Sequence, residues 1–92
     1  MTEAVRGTAR GQVEARVLDL SPGGALLHLG AELAAGSIHD FVLHLGGDEV
    51  WVQAEVLRSR PAERGGHQVA VEFVGMAPEH ERMLRRFLAK HP

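Results

Sequence analysis

The chain has 92 residues, which is enough for one domain with a single modest core. Its net charge of −2 excludes a protein that binds nucleic acid through a broad basic surface. It has no cysteine, no apolar run near the roughly 20 residues that span a bilayer, and no signal-peptide layout at its start, so we expect a cytoplasmic protein without membrane insertion.

The first half of the chain predicts three short strands. Apolar residues alternate with polar ones over residues 12–18, which is the pattern of a half-buried strand. Short apolar runs predict two further strands at residues 25–29 and 41–45. The intervening segment, residues 31–37, is compatible with either a helical turn or a loop.

The second half predicts two strands and a helix. The sequence Gly46-Gly47-Asp48 is a tight-turn signal, and a long valine-rich strand follows over residues 49–57. We expect a polar loop at residues 59–66 and another alternating strand at 68–74. The period then changes to 3.6, with an apolar stripe at Met83, Leu84, Phe87 and Leu88 that predicts an amphipathic helix over residues 78–90. Pro78 suits its first turn.

These elements predict a mainly β protein, a small antiparallel barrel with a C-terminal α-helix. One domain would occupy residues 1–92. Within it, residues 12–74 form the barrel strands and residues 1–11 an N-terminal segment or a short strand.

The polar corner between the first two predicted strands concentrates the chemistry. It reads Asp19-Leu20-Ser21-Pro22-Gly23-Gly24. Pro22 fixes φ at one turn position and Gly23 can take a positive φ at the next, which predicts a type II turn. Asp19 and Ser21 are two residues apart in extended chain, so their side chains point to one side. They either offer acceptors to an N–H edge such as that of guanine, or simply hydrogen-bond the local backbone.

The corner resembles the [D/N]-x-S-x-x-G motif of the PilZ family, bacterial domains associated with the second messenger cyclic di-GMP. The resemblance extends to Ala54-Glu55-Val56-Leu57-Arg58, to Val69-Ala70-Val71-Glu72-Phe73 and to the terminal helix. It implies a PilZ-like barrel in which the guanine side of the ligand contacts Asp19, Ser21, Gly23 and Gly24.

An arginine pair completes the ligand site in binding members of this family. Here Arg6-Gly7-Thr8-Ala9-Arg10 fits the R-x-x-x-R pattern and would contact phosphate and guanine. Only eight residues separate Arg10 from Asp19, whereas the family places a whole strand and turn between them. Either residues 3–8 form a short first strand and the arginine segment is missing, or this segment is the arginine arm and a strand has been lost.

Other residues point to weaker alternatives. Arg16, Arg58 and Arg60 are either solvated or a substitute source of positive charge near the corner. Trp51 is expected either to pack beneath the terminal helix or to belong to a partner surface. The six histidines show no metal-ligand spacing, and no nucleophile–base pair or nucleotide fingerprint is present. We therefore expect no metal, no cofactor and no enzymatic activity.

The resemblance implies a PilZ-type signalling module that binds cyclic di-GMP with weakened or lost affinity. The alternative is a degenerate PilZ domain that acts as a nucleotide-independent protein-interaction adaptor. A protein partner is expected under both interpretations.

Overall fold

A computed structural model describes residues 13–91, which form a closed five-stranded barrel and one helix. The elements are β1 (Val13–Ser21), β2 (Gly24–Leu29), β3 (Ile38–Leu45), β4 (Asp48–Pro61), β5 (His67–Gly75) and α1 (Pro78–Lys90). The strands follow the order β1-β2-β5-β4-β3 around the barrel, and all neighbours are antiparallel except β3 and β1, which close it in parallel. The predicted fold class is confirmed.

The core lies inside the barrel and is built by period-two alternation. Inward-facing positions of the strands are buried or half-buried, and those of β4 form an almost solvent-free column. That column consists of Val50, Val52, Ala54 and Val56. Burying each of the three valine side chains contributes about 1.5–3 kcal/mol relative to exposure, so the alternation largely determines the register of the sheet.

The hairpin between β3 and β4 follows from its two glycines. Gly46 and Gly47 have φ values of 58° and 95°, and Leu45 pairs directly with Asp48 across the turn. Positive φ at both central positions gives a two-residue turn whose twist matches that of the flanking strands. The predicted tight turn is therefore present.

The structure shortens one predicted loop and decides between the two alternatives left open for another segment. The loop expected over residues 59–66 is shorter, because Ser59, Arg60 and Pro61 continue β4 by pairing with β5. Proline is tolerated there because it stands at the strand end, where its missing N–H breaks no interior ladder bond. Residues 31–37 form a loop and not a helical turn. Its end is tied to β4 by hydrogen bonds from Gly36 N to Val56 O (2.7 Å) and from Val56 N to Ser37 O (2.8 Å).

Helix α1 packs against the barrel through its predicted stripe. Leu84 is 2 % exposed and belongs to the core, and Met83, Phe87 and Leu88 pack against that core. The acidic residues Glu79 and Glu81 stand in the first turn and Lys90 in the last, an order that complements the helix dipole. No helix in the described part of the chain is long and apolar enough to cross a bilayer.

Candidate functional site

The polar corner lies where β1 ends, just after a β-bulge at Leu18. Asp19 and Ser21 are both exposed on the outer face, so they lie on one side as the spacing predicted. Asp19 Oδ1 accepts a hydrogen bond from the Leu20 N–H (3.0 Å), and Ser21 Oγ donates one to the Gly24 carbonyl (3.2 Å). These local bonds hold the two side chains in place and leave further acceptor lone pairs on each.

The turn at the corner is not type II, so that prediction is wrong. Type II needs a positive φ at Gly23, and Gly23 is not in the left-handed region. The Gly23 carbonyl accepts the Phe73 N–H at 2.9 Å, and this bond to β5 fixes the orientation of the peptide.

The two glycines of the corner have different roles. A Cβ at Gly23 would meet no atom within 4 Å, so this position is open to an approaching ligand. A Cβ at Gly24 would overlap the carbonyl oxygen of Val71 and lie 3.6 Å from the Cα of Glu72. Gly24 therefore allows β2 to pack closely against β5, a role within the barrel itself.

The register of the sheet places three arginines on the outer face that carries Asp19. Paired residues form rows across the strands β1, β2, β5 and β4. One row consists of Asp19, Leu26, Ala70 and Arg58. The next row on the same outer face consists of Arg16, His28, Gln68 and Arg60. We call these eight residues the arginine face. With strands about 4.8 Å apart, its two edges on β1 and β4 are separated by about 14 Å along the sheet.

The arginines of this face are available to an external anion. Arg16, Arg58 and Arg60 are all exposed, and none forms an ion pair with another residue in the described range 13–91. Half-buried Leu26 and Ala70 lie between them and do not belong to the core, so they form a low apolar floor. The arrangement can hold a planar, negatively charged ligand over the floor between guanidinium groups at both edges.

A pair of carboxylates limits the arginine face on the side towards the helix. Glu55 and Glu72 face each other directly across β4 and β5, in the same row as Ser21 and Gly24. Like charges at opposed positions repel one another and also repel an anion. A negatively charged ligand is therefore favoured over the Asp19 and Arg16 rows and disfavoured beyond them.

His28 is held in place by a hydrogen bond in the row of Arg16 and Arg60, on the side of the arginine face away from the helix. Its Nε2 donates to the Gly65 carbonyl at 3.0 Å, in the turn that joins β4 to β5. Gly66 is required beside it, because its φ is +72° and a Cβ there would lie 2.7 Å from His28 Nε2. The ring is thus positioned before any ligand arrives.

The remaining predicted site residues lie elsewhere. Arg6 and Arg10, and the alternative first strand at residues 3–8, fall outside the described residues. Within residues 13–91, no group of three histidine or acidic side chains is arranged to hold a metal ion. The sequence interpretation named the three arginines individually but not as a group. It missed Leu26, Ala70 and Gln68 as the floor between them, which only a correct strand order could have revealed.

Comparisons with known proteins identify the family and support the fold. The sequence matches the PilZ domain family over residues 3–90. The solved structure of the Bacillus subtilis inhibitor of motility (MotI/DgrA) is similar with a TM-score of 0.63 and 16 % identity, over 78 % of this chain and 38 % of that one. At this identity the likeness shows the fold alone. No curated protein matched the sequence. The chain belongs to the PilZ domain family.

Proposed function

We propose that this chain is a non-enzymatic, cytoplasmic signalling module that binds cyclic di-GMP on the arginine face. Asp19 and Ser21 accept hydrogen bonds from one guanine edge, and open Gly23 admits the base. Arg58 and Arg60 at one edge of the face, with Arg16 at the other, contact the phosphates. The placement of Asp19 and Arg58 in one row across the sheet is the observation that carries the proposal.

The chemistry of the ligand fits this surface. A cyclic dinucleotide presents two anionic phosphates and two flat purines, and arginine both pairs with phosphate and stacks on aromatic planes. The floor of Leu26 and Ala70 gives a purine an apolar surface to cover. A hydrogen bond to a charged group contributes about 1.5–3 kcal/mol, which is the scale on which each arginine–phosphate contact would add to the affinity.

We expect this affinity to be weaker than that of a site with a complete arginine arm. All three arginines are exposed, so their attraction to phosphate is reduced by water and salt. The repelling pair of Glu55 and Glu72 lies one row from Asp19 and opposes the ligand further.

Isothermal titration calorimetry with cyclic di-GMP tests the proposal. We expect micromolar binding by the unaltered chain, abolished in Asp19→Ala and reduced about tenfold or more in an Arg58→Ala, Arg60→Ala double variant. Arg82→Ala, an exposed arginine on α1, is the matched control and should bind normally. No heat at high ligand concentration would refute the proposal, as would equal binding by the double variant.

A nucleotide-independent adaptor is the second function that a specific observation favours. Five large apolar side chains are between 43 and 55 % exposed: Leu18, Ile38, Trp51, Leu57 and Val74. Leu18, Leu57 and Val74 are the extra residues at three β-bulges, which present them outward. A partner that binds with the same affinity with and without cyclic di-GMP, and loses binding on Trp51→Ser, would support this function over the first.

A further inference from the structure

A second concave site lies on the side of the barrel where α1 begins. It has a volume of about 560 Å³ and is formed by β3, β4 and the segment that leads from β5 into the helix. Its polar and aromatic lining comes from Asp40, Gln53, Trp51, Glu79 and His80. None of these residues belongs to the arginine face.

Trp51 is anchored at this site through its backbone, and its side chain is 49 % exposed. Strand β4 pairs with β5 only from Gln53 onwards, so the Trp51 N–H has no partner on β5. His80 Nδ1 accepts that N–H at 3.0 Å, and the imidazole stacks on the indole with ring centroids 6.1 Å apart and an interplanar angle of 24°. His80 in the first turn of α1 therefore lies beside the indole, and the rest of the ring is open to a partner.

The charge of this cavity has a single sign. Asp40 and Glu79 are exposed carboxylates of its lining, and neither forms an ion pair with another residue of the described range. No lysine or arginine from residues 13–91 is among the lining residues. The first basic residue of the helix, Arg82, lies outside the lining. An exposed indole that shares a cavity with two carboxylates attracts a cation through both the ring quadrupole and the charges.

The apolar part of the lining narrows the choice of cation. Met76 and Ala77 add aliphatic surface next to the acidic groups. A lysine or arginine side chain has this composition, with a long hydrocarbon stem and a charged head. A small inorganic cation would leave the aliphatic surface uncovered.

We infer that this cavity, the Trp51 cavity, docks a basic segment of a protein partner and places one arginine or lysine over the indole between Asp40 and Glu79. The inference deepens the adaptor function and does not depend on nucleotide binding. The adaptor's partner would approach the helix side of the barrel, and cyclic di-GMP would bind on the arginine face.

Fluorescence tests the inference directly, because Trp51 is the only tryptophan of the chain. The probe is the peptide acetyl-Ala-Ala-Arg-Ala-Ala-amide, and its matched control carries citrulline, which has nearly the same shape without the charge. We expect a saturable change in Trp51 emission, with the arginine peptide binding at least about fivefold tighter than the citrulline peptide. The difference should shrink at high salt, because exposed charges are screened.

Substitutions locate the effect in the cavity. An Asp40→Asn, Glu79→Gln double variant should bring the two peptides to within about twofold of each other. Glu63→Gln, in the exposed turn beyond the far end of β4, should leave the preference unchanged. Equal binding of both peptides by the unaltered chain, or an undiminished preference in the double variant, would overturn the inference. A separate titration with cyclic di-GMP distinguishes the two proposals, because the chain can bind the arginine peptide without binding cyclic di-GMP, or the reverse.

Discussion

Alanine substitution of the two corner glycines separates a packing role from a binding role. At Gly24 the new Cβ would overlap the Val71 carbonyl oxygen and stand 3.5 Å from the Val71 carbonyl carbon. Both neighbours are backbone of β5, so no side chain can rotate away and the two strands must separate. Overpacking of this kind costs about 1–3 kcal/mol, and the loss of ladder geometry adds to it.

At Gly23 the alanine substitution should raise the free energy of unfolding instead of lowering it. The position has no atom within 4 Å of an added Cβ and no positive φ, so alanine fits without strain. Reduced freedom of the unfolded chain then stabilises the protein by about 0.4–1 kcal/mol. The two variants should therefore differ by about 1.4–4 kcal/mol in the free energy of unfolding.

Thermal unfolding followed by circular dichroism measures this difference. In a domain of this size, 1 kcal/mol shifts Tm by about 4–8 °C, so Gly24→Ala should unfold at least about 5 °C below the unaltered chain and Gly23→Ala at or slightly above it. Calorimetry with cyclic di-GMP should also show weakened binding by Gly23→Ala, because its methyl group occupies the open approach to the corner. Equal Tm values for the two variants would refute the packing account of Gly24.

Three further outcomes follow from the structure. Ser59→Ala should raise the free energy of unfolding by about 1 kcal/mol in urea denaturation, because Ser59 Oγ is buried without a hydrogen-bond partner in the described part of the chain. Leu84→Ala should lower the free energy of unfolding by about 2–5 kcal/mol, since this side chain attaches α1 to the core. A loss below about 1 kcal/mol would show that other contacts attach the helix to the barrel. Glu72→Gln removes the repulsion with Glu55, so it should stabilise the barrel by about 0.2–1 kcal/mol at low salt. The same variant should bind cyclic di-GMP more tightly in calorimetry. An unchanged dissociation constant would contradict the role given to this pair of carboxylates.

The strands could be predicted because their pattern is local. Alternation along β4 and the stripe of α1 depend on spacing within one element, so the sequence located both. Bulges and strand ends depend on the partner strand. The continuation of β4 through Ser59 to Pro61 was missed because pairing with β5 overrides the loop signal of Arg60-Pro61.

The candidate site was predictable only in its local part. Asp19 and Ser21 lie two apart in one strand, and the motif alone put them on one side. The arginine face depends on the order β1-β2-β5-β4, which brings Arg58 into the row of Asp19 from 39 positions away in sequence. The prediction of a type II turn was wrong because the turn also depends on a distant strand. A hydrogen bond from the Phe73 N–H of β5 to the Gly23 carbonyl determines the orientation of the peptide.

Nuclear magnetic resonance of the unaltered chain, titrated with cyclic di-GMP, tests the central claim most directly. Backbone amide shifts report where the nucleotide binds without any substitution. The account predicts saturable shifts at the corner from Asp19 to Gly24 and on the floor at Leu26 and Ala70, and no shifts around Trp51. An unchanged spectrum at millimolar nucleotide, or shifts confined to the Trp51 cavity, would contradict binding on the arginine face.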